Sequence, residues 1–504
     1  MKKNLILCAL LLSAGVITAQ NINDGLRYST DLTTGTARFG AMSGAFGALG
    51  GDLSAIAINP AGSAIFLDNS ASFTGSLDAV DSSTRYFNGT GQNTETDVNI
   101  NQAGGVFLFD LNPESKWKKI SLGVNYNQTS NLDNEVFIQG NGNSSVANFF
   151  LEQAQGLSLD VLELQGQGIS GRYAELGATR GTRAQNAFLG YQGFIFDPFT
   201  TDPGNTQYVS NVAGNRFDQD YVSLSRGFNG KFSFNLAAQY TDDFFFGINL
   251  NSHTIDYDEG TFMFERNSNQ GSTVNRIEFE NNLSVLGAGF SAQVGAIAKI
   301  GDQFRLGLTY DTPTWFVISE ETSQYLETER TVDGQSIVEI VDPRIINVFA
   351  DYNLRTPSRI AASGAYVFGQ SGLISFDYSF KNYGNIEFTP AFNDGSFDAL
   401  NATISDMLQG ASTYRVGGEY RIGNWSLRGG FSYEESPYSN KDILGDRQGY
   451  SAGFGYNFGM YSFDFAYMRS EQDANRAIYN IGLTDTAAVE TVFNNFLFTL
   501  GLQI

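Results

Sequence analysis

Hydrophobic and polar residues alternate with a period of two along much of the chain after residue 67. The stretch ISLGVNYNQ (residues 120–128) shows the pattern: one face would carry Ile120, Leu122, Val124 and Tyr126, and the other Ser121, Gly123, Asn125 and Asn127. Residues 496–504 repeat it, with large apolar side chains alternating with Leu, Thr, Gly and Gln. This alternation predicts β-strands whose two faces meet unlike surroundings.

Two all-β architectures could use such strands. In a soluble sandwich the apolar face points inward and the polar face meets water, whereas in an outer-membrane barrel the apolar face meets lipid and the polar face lines the lumen. The apolar faces are rich in Phe and Tyr, and the opposite faces carry Gly, Ser, Asn and Thr instead of Lys and Glu. Very short turns at 241–243, 301–303 and 423–425 alternate with long polar connections. These features predict a membrane β-barrel.

Period-two segments number about fourteen, an even number that places both chain ends on the periplasmic side. They lie near residues 70–80, 98–110, 119–129, 231–241, 244–258, 282–299, 304–320, 346–368, 372–389, 411–422, 424–434, 447–458, 460–470 and 491–504. A barrel of about fourteen antiparallel strands is therefore expected.

The first nineteen residues have the pattern of a secretory signal peptide. Lys2 and Lys3 precede an apolar run at 5–12, and Ala19 offers a small residue for cleavage. The alternative, an N-terminal membrane anchor, requires a longer apolar run. Cys8 is the one cysteine of the chain. An exported, processed protein would have none, which excludes disulfides and thiolate chemistry.

Composition narrows the class further. Charged residues make up 16% of the chain, against about 25% in ordinary globular proteins. The net charge of −23 argues against nucleic acid as a partner, because phosphates are bound by Lys and Arg. The acidic segment DYDEG (256–260) is interpreted as solvated loop charge, with a calcium site as the alternative. With one His in the chain, no metal or other cofactor is expected.

The longest connection, about 130–230, contains a predicted short helix. In SSVANFFLEQAQGL (144–157), apolar residues recur every three or four positions: Val146, Phe149, Phe150, Ala154 and Leu157. A connection of this length usually has a role. Two interpretations stay open: the apolar side chains pack the loop onto the barrel rim, or they form a surface groove that collects a hydrophobic ligand.

The N-terminal segment AFGALGGDLSAIAINPAGSAIF (45–66) is rich in Gly and Ala and carries almost no charge. A nucleotide-binding glycine loop would need a strand before it and a helix after it, and the preceding DLTTGTARFG does not form a buried strand. Small residues suit a plug folded tightly within a narrow lumen, and Pro60 would end any helix before it.

Several motifs together resemble the FadL/TodX family of outer-membrane transporters for long-chain fatty acids and hydrophobic compounds. They are FGAMSGAFGALGGDLSAIAINPAG (39–62), RLGLTYDTPT (305–314), NLRTPSRI (353–360), FSYEESP (431–437) and GDRQGYSAGFGY (445–456). The resemblance implies a signal peptide (1–19), an N-terminal hatch (20–66) inside a fourteen-stranded barrel (67–504), and a long extracellular loop. The sequence departs from the family at Asp311, where a basic residue is expected, at Ile504, where an aromatic one is usual, and over 130–230.

The family mechanism implies extracellular capture, passage to a pocket near the hatch, and lateral exit through the wall beside a kinked third strand near 120–129. Carried over by motif, the gate comprises Asn59, Pro60, Ala61 and Gly62. Candidate ligand contacts are Phe46 and Leu49 in the hatch and Phe149, Phe150 and Leu157 in the long connection. The expected partners are a hydrophobic small molecule, outer-membrane lipid and lipopolysaccharide, and the expected state is a monomer.

The leading hypothesis is therefore passive uptake of long-chain fatty acids or similar hydrophobic compounds in the outer membrane of a Gram-negative cell. The first alternative is a barrel adhesin or receptor that acts through the long loop. The second is a barrel lipid hydrolase built on His253. Alternation places His253 on the lumen face and Ser252 on the lipid face, so this serine cannot use the imidazole as its base, and no catalytic residue is expected.

Overall fold

The computed structural model describes residues 21–30, 32–390 and 397–503. The predicted signal peptide and Ile504 lie outside the described residues.

Twenty strands of the described chain form one sheet, and two more form a small separate sheet. In chain order the strands are β1 (Ser70–Tyr86), β2 (Gly89–Asp110), β3 (Trp117–Asn131), β4 (Asn134–Gly142), β5 (Phe196–Pro198), β6 (Tyr208–Ser210), β7 (Phe217–Tyr240), β8 (Phe244–Arg266), β9 (Val274–Ile300), β10 (Phe304–Asp311), β11 (Trp315–Val332), β12 (Gln335–Val341), β13 (Asn347–Val348), β14 (Tyr352–Arg355), β15 (Arg359–Val367), β16 (Gly372–Asn382), β17 (Glu387–Pro390), β18 (Gly410–Ile422), β19 (Trp425–Glu434), β20 (Arg447–Asn457), β21 (Tyr461–Ala477) and β22 (Thr486–Gln503).

The helices are α1 (Ile22–Arg27), α2 (Ala37–Ala41), α3 (Ala147–Ala154), α4 (Leu159–Leu162), α5 (Ile169–Arg180), α6 (Thr182–Gln192) and α7 (Asp398–Met407). Short 3-10 helices span Ser54–Ala57, Pro60–Ile65 and Tyr383–Asn385. None of the helices formed by the described residues has the length and hydropathy that a membrane crossing requires.

The large sheet closes on itself, because β1 pairs with both β2 and β22. The described strands occupy fourteen antiparallel wall positions, as the sequence predicted. Four positions are built from consecutive segments: β3 with β4, β10 with β11, β12 to β15, and β16 with β17. Each described wall position has a hydrogen-bonded neighbour on both sides over at least part of its length.

Two of the interruptions lie side by side at prolines. Pro313 separates β10 from β11, and Pro357 separates β14 from β15. Proline has no N–H to give to a strand ladder. Threonines close this part of the wall: Thr314 N donates to Thr356 Oγ1 at 2.9 Å, and Thr356 N donates to Thr314 O at 3.0 Å.

Several strands are longer than the alternation predicts. The fourth wall strand begins at Phe217 instead of near residue 231, and the second begins at Gly89 instead of near residue 98. In these extensions polar residues such as Asp218 and Asp220 interrupt the apolar outer face, so hydrogen bonding continues where the hydrophobic pattern has faded. As a result the connection between β4 and β7 covers 143–216, and the range 130–230 was too wide.

The outer surface of the wall carries exposed apolar side chains, among them Phe73, Leu122, Phe234, Leu308 and Leu500. The inner surface carries buried polar ones, including Asn125, Asn235, Asn249 and Gln293. A soluble barrel would reverse this arrangement, because burial of apolar area is the main favourable term in folding. The inverted pattern is that of a wall surrounded by lipid.

The described residues of the predicted hatch, 21–30 and 32–66, lie within the lumen and are largely buried. Their short elements are capped locally. Asn21 and Asp24 form a capping box at α1, and Thr36 Oγ1 accepts the Phe39 N–H at 3.2 Å. Pro60 begins the 3-10 helix Pro60–Ile65, where its missing N–H costs nothing. Toward the long connections, Leu26 packs with inward side chains such as Phe316 and with Ile404 of α7.

Candidate functional site

A cavity of about 110 Å³, which we call the lumen chamber, lies between the hatch and the inner wall. Hatch residues of the 28–34 segment and of 54–58 form one side of it. The other side is formed by β3, β7, β8, β9 and the segments around Pro313 and Pro357. The paired proline interruptions thus face this cavity.

The chamber wall is basic in a protein whose net charge is −23. Its charged residues are the cations Lys231, Arg359, Lys381 and Arg415 and the anion Asp311. Arg359 Nε donates to Asp311 Oδ2 at 2.6 Å, and Lys381 Nζ donates to the Ser29 carbonyl at 3.0 Å. Such a local excess of cations attracts anionic groups.

These basic residues were not among the candidates predicted from the sequence, although a signal existed. Arg359, Lys381 and Arg415 occupy inward positions of predicted strands, where Gly, Ser and Asn prevail. Asp311, where the sequence departs from the family, lies at the same site, because it is the ion-pair partner of Arg359.

Buried polar atoms around the chamber have no hydrogen-bond partner within the described protein. They are Tyr28 Oη, Ser29 Oγ, Asn229 Oδ1, Asp311 Oδ1 and Arg415 Nε. Buried polar groups in folded proteins are almost always hydrogen-bonded. The chamber is therefore suited to a guest with polar atoms, whether solvent or a ligand head group.

The hydrogen-bonded ladder between β2 and β3 ends next to this chamber. Pairing runs from Asp110↔Lys119 to Gln102↔Asn127. Above this point the described β2 pairs with β1 alone, while the β3–β4 segment pairs with β7. Asn101 is left out of the β1–β2 register, and Thr129 is left out of the β3–β7 register. Bulges of this kind bend a strand away from its neighbour.

We call the gap above Gln102 and Asn127 the side window. Val98 and Ile100 of β2 flank it on the outside, and they are 82% and 54% exposed. At the top the β1–β2 turn rests on β4, because Gln139 Nε2 donates to the Thr90 carbonyl at 2.6 Å. The interruption of the ladder therefore lies among exposed apolar side chains of the outer wall. It lies at the end of the segment 120–129, which was predicted to be kinked.

Thr30 and residues 32–34 of the hatch cross the inner side of the window. Leu32 N donates to the Thr129 carbonyl at 2.8 Å, and Ser130 Oγ donates to the Thr30 carbonyl at 3.0 Å. The Thr34 hydroxyl donates to the Gln128 carbonyl. The lumen chamber is lined by Leu32, Thr33 and Thr34 together with the wall residues 127–129. Chamber and window are thus separated by one segment of chain.

The Asn-Pro-Ala block packs mainly on β7, β8 and β9. Asn59 is fully buried, and its Nδ2 donates to the carbonyls of Gly47 at 2.8 Å and Ala296 at 3.1 Å. Its Oδ1 accepts the Ala61 N–H at 3.1 Å. Pro60 O accepts a hydrogen bond from Asn235 Nδ2 at 2.9 Å. The third wall strand is touched further on, at Ser63.

Glycines make this docking possible. A Cβ on Gly295 would lie 2.1 Å from Asn59 Oδ1, and a Cβ on Gly247 would lie 2.4 Å from the Pro60 carbonyl carbon. Gly62 packs backbone to backbone on Gly50, where a Cβ would meet Gly50 Cα at 3.0 Å. The gate role of residues 59–62 stays a prediction, since none of these four lines the chamber.

The candidate ligand contacts fall into two separate cores. Phe46 and Leu49 are buried within the hatch with Phe39 and Met42. Phe149 and Phe150 are buried in an extensive apolar cluster, which joins helices α3–α6 to the upper ends of the strands, and Leu157 packs against it. We call helices α3–α6 the cap. The predicted short helix is present as α3, and its apolar side chains pack onto the barrel rim, the first of the two interpretations left open. None of the five lines the lumen chamber, so their ligand role stays a prediction.

At the short-turn end a larger cavity of about 820 Å³ opens beneath the hatch. The buried Glu419 side chain there accepts from three guanidinium groups: Arg38 Nε at 2.9 Å, Arg421 Nη2 at 2.6 Å and Arg428 Nε at 2.7 Å. Arg38 belongs to α2 of the hatch and also donates to the Gly51 carbonyl at 3.0 Å. The three-arginine contact with Glu419 therefore ties the hatch to β18 and β19.

His253 faces the lumen, as the alternation predicted, and Ser252 is exposed on the outside. The imidazole Nε2 lies 2.8 Å from Ser291 Oγ, and the ring meets Phe316 edge to face. Ser252 and His253 point to opposite faces of the wall, so they do not form a nucleophile and base pair.

The fold has solved relatives. The structure is similar to that of a FadL homologue from Pseudomonas aeruginosa, with a TM-score of 0.54 and 13% identity, covering 94% of this chain and 99% of that one. It is also similar to the toluene transporter TodX from Pseudomonas putida, with a TM-score of 0.52 and 13% identity, covering 94% of this chain and all of that one. At this identity the likeness concerns the fold. Among curated proteins, none matches this sequence.

The sequence itself shows to which family this chain belongs. Residues 205–491, more than half of the chain, match the family described as outer membrane protein transport protein (OMPP1/FadL/TodX). Its members are transporters and not enzymes, and the outer-membrane barrel predicted from the alternation is the fold they share. The chain therefore belongs to the OMPP1/FadL/TodX family of outer-membrane transport proteins.

Proposed function

We propose that this protein carries long-chain fatty acids, or similar amphipathic hydrophobic compounds, passively from the cell exterior into the outer membrane. The ligand would pass through the lumen chamber and leave sideways through the side window. The observation that carries the proposal is their adjacency, because only Thr30 and residues 32–34 of the described hatch lie between the chamber and the window.

The physical chemistry of the ligand favours a lateral route. Each CH₂ group of an acyl chain prefers apolar surroundings by about 0.8 kcal/mol. A water-filled path to the periplasm would expose the whole chain, whereas a window flanked by Val98 and Ile100 leads directly into lipid.

The basic chamber supports a ligand with an acidic head group. TodX is named for toluene, a hydrocarbon without an ionisable group. The chamber is lined by four cations and one anion. A hydrocarbon cannot pair with these cations, whereas a carboxylate would accept charge-assisted hydrogen bonds from them. This favours fatty acids over monoaromatic hydrocarbons as the ligand.

The size of the chamber requires movement. Ligand pockets usually occupy about 300–1,000 Å³, and the lumen chamber has about 110 Å³. It can admit a head group, but an acyl chain needs further space. The shortest way to gain it is to displace Thr30 and residues 32–34 from β3, which would also clear the inner side of the window.

The first experiment measures uptake. Deletion cells complemented with the gene should take up labelled oleate faster than uncomplemented cells, and the gain should be smaller for oleyl alcohol, which lacks the carboxylate. Equal oleate uptake with and without the protein would contradict the transport proposal. A gain that is the same for acid and alcohol would contradict the role of the head group.

The second experiment tests the exit. A photoreactive group is attached to a single cysteine at Val98→Cys beside the window, or at Ile374→Cys, an exposed position on β16. Fatty acid that leaves by the window should be crosslinked at position 98 severalfold more than at 374. Equal labelling at the two positions would contradict lateral exit at this site.

A further inference from the structure

The strand β12 has one side without a hydrogen-bonded neighbour among the described strands. Its residues pair with Leu326–Val332 of β11, and no second described strand pairs with them. This part of β11 lies well beyond Val317, the last strongly exposed apolar side chain of that strand. The strand β12 therefore stands outside the membrane, on the side of the long connections. We call the unpaired side of Gln335–Val341 the free edge.

The turn before β12 decides which backbone groups reach the free edge. Asp333 and Gly334 connect β11 to β12 and have positive φ values of 50° and 79°, as in a two-residue type I′ hairpin. The residue pair that flanks such a turn exchanges both backbone hydrogen bonds, and in an antiparallel ladder every second pair does the same. Val338 and Ile340 belong to the other pairs, so their N–H and C=O groups point to the free edge.

The free edge lacks the usual protection of an exposed strand. Proteins commonly block such edges with Lys, Pro or a bulge. Residues 335–341, QSIVEIV, contain neither Lys nor Pro, and their register with β11 is continuous. The charge of Glu339 is offset by Arg330 of β11, whose Nη2 lies 2.7 Å from Glu339 Oε1. An unprotected edge of this kind is suited to pairing with a strand of another chain.

Aliphatic side chains follow the free edge on the outer face of the wall. Val338 and Ile340 of β12 and Ile346 and Val348 of the next segment are 48–71% exposed. Contiguous apolar side chains that are exposed to water mark interaction sites. Their β-branched shape also favours cross-strand contacts with a further strand.

The cap holds β11 and β12 in place from the inner side. Leu326 and Val341 are buried in the apolar cluster that contains helices α3–α6. The Arg330 guanidinium lies over the Phe194 ring of the cap, 3.9 Å from its centroid. The edge is therefore preformed, and a partner strand can pair with it without much ordering of this protein.

Glutamates dominate the outer face beside the free edge. They are Glu278 and Glu280 of β9 and Glu321, Glu327 and Glu329 of β11. Arg276 contacts three of these carboxylates at 2.6–3.2 Å, and Arg266 on β8 lies opposite Arg276. Five carboxylates against two cations leave a negative surface, which attracts a basic partner. The same charge disfavours a second copy of this chain, because pairing edge to edge would bring two such surfaces together.

We propose that the free edge is a docking site for an extended basic segment of another cell-surface protein, which pairs with β12 as an added strand. The paired stretch would span about seven residues, the length of β12. The site lies outside the lumen, so this inference is independent of the proposed transport function.

The two faces of β12 define the chemistry of the segment. On the outer face, Lys or Arg side chains would cover Val338 and Ile340 with their aliphatic stems and extend their charges toward the glutamates of β11. On the inner face, aliphatic residues would lie beside Ile337 and Val341. The segment is therefore expected to alternate basic and aliphatic residues.

The test is binding of the fluorescent peptide Lys-Val-Lys-Val-Lys-Val-Lys to the full chain in nanodiscs of phosphatidylcholine, with empty nanodiscs as the blank. Saturable binding of one peptide per protein is expected. A peptide with Glu in place of Lys should bind at least tenfold more weakly. So should one with Pro in place of Val, which has the same charge but lacks three N–H donors. Equal binding of the three peptides would overturn the proposal.

The infrared spectrum reports the form of the bound peptide. A peptide with ¹³C-labelled valine carbonyls should show the shifted amide band of a hydrogen-bonded strand when it is bound. Bound peptide without this band would mean that it is held by charge alone, and the docking site as proposed would be wrong.

A variant of the edge locates the site. Val338→Pro removes an N–H from the free edge but no hydrogen bond to β11, so it should weaken peptide binding at least tenfold. Val338→Thr keeps the N–H and the β-branched shape and should bind like the wild type. Hydrogen exchange of α3 should be the same in both variants, which shows that the cap remains docked. Undiminished binding by Val338→Pro would contradict pairing at β12.

Sedimentation in detergent tests a second copy as the occupant. The proposal expects a monomer in the absence of peptide. A wild-type dimer that Val338→Pro dissociates would show that two copies pair through the free edge, and would overturn the assignment to a basic partner.

Discussion

The hydroxyl groups of Ser63 in the hatch and Ser121 in β3 lie 2.7 Å apart, and both side chains are buried. This contact joins the end of the 3-10 helix Pro60–Ile65 to the wall strand that borders the side window. Whether the hatch must leave this strand during transport can be tested directly, because a processed chain contains no native cysteine.

The variant Ser63→Cys/Ser121→Cys should form a disulfide. The two hydroxyl oxygens that the sulfur atoms would replace lie 2.7 Å apart, so a small adjustment reaches an S–S bond of about 2.05 Å. If hatch movement opens the window, oxidised cells should lose most of their fatty acid uptake, and a reducing agent should restore it. Uptake of labelled oleate before and after reduction measures this.

A matched control is available on the outside of the wall. The Ser319 hydroxyl and Asp351 Oδ1 lie 2.6 Å apart at exposed positions away from the lumen. Ser319→Cys/Asp351→Cys should transport equally well oxidised or reduced. Full uptake by the oxidised Ser63–Ser121 variant would show that this part of the hatch stays in place during transport.

The docking of Asn59 depends on the absence of a side chain at Gly295. Gly295→Ala places a methyl group 2.1 Å from Asn59 Oδ1, so Asn59 must move and lose hydrogen bonds to Gly47 and Ala296. Leaving a buried polar group unsatisfied costs about 1–3 kcal/mol. We expect a loosened hatch, measured as increased ion conductance in planar bilayers. Gly364→Ala, whose methyl group would meet only Leu306 at 3.9 Å, should conduct like the wild type.

The variant Asn59→Leu tests whether residue 59 controls passage of the ligand or only attaches the hatch to the wall. Leucine cannot make the two bonds donated by Asn59 Nδ2, so the variant should share the leaky phenotype of Gly295→Ala. If it lowers oleate uptake while conductance and assembly remain normal, Asn59 has a gating role beyond docking.

Arg38 and Arg421 bind the same carboxylate but belong to different parts of the molecule. Arg38 lies on hatch helix α2, whereas Arg421 lies on the wall and its side chain is 46% exposed. Removal of one partner of a buried ion pair costs about 3–5 kcal/mol, although Arg428 would still compensate Glu419. Arg38→Gln should therefore increase ion conductance and proteolysis of the hatch, and Arg421→Gln should do neither. The same phenotype in both variants would show that the network stabilises the wall and not the hatch attachment.

Glu265 makes docking of the cap dependent on pH. It lies at the upper end of β8, well beyond Leu250, the last strongly exposed apolar side chain of that strand. Burial raises the pKa of its carboxyl to about 7, although hydrogen bonds from Ser145, Gln219 and the Val146 N–H act to lower it. This pKa is higher in the folded protein than in the unfolded chain. The stabilisation of the docked cap by the protonated Glu265 carboxyl is therefore fully present below pH 4.5 and is lost as the pH rises through 7.

We therefore expect the cap to loosen between pH 5 and pH 8, by about 3 kcal/mol at most. Hydrogen exchange of α3, corrected for intrinsic rates, should show protection falling over this range. Glu265→Gln should remove the pH dependence, while Glu152→Gln at an exposed position of α3 should keep it. Protection that is constant from pH 5 to 8 in the wild type would contradict this assignment.

The sequence by itself determined the wall. Alternation with a period of two is a local property, so it located all fourteen wall positions and assigned Ser252 to the outside and His253 to the lumen. It also located helix α3, because the spacing of Phe149, Phe150 and Ala154 is equally local. The predicted strands were too short, because polar residues on the outer face of the strand extensions, such as Asp218 and Asp220, interrupt the hydrophobic alternation.

The tertiary structure alone decided the site. The lumen chamber joins Ser29, Arg359 and Arg415, which come together only because the barrel closes and each strand pairs in a definite register. The same holds for Ser63 with Ser121 and for Arg38 with Glu419, contacts that join the hatch to distant wall strands. A local pattern assigns a side chain to a face, but its neighbours on that face are fixed by the register of strands far apart in the chain.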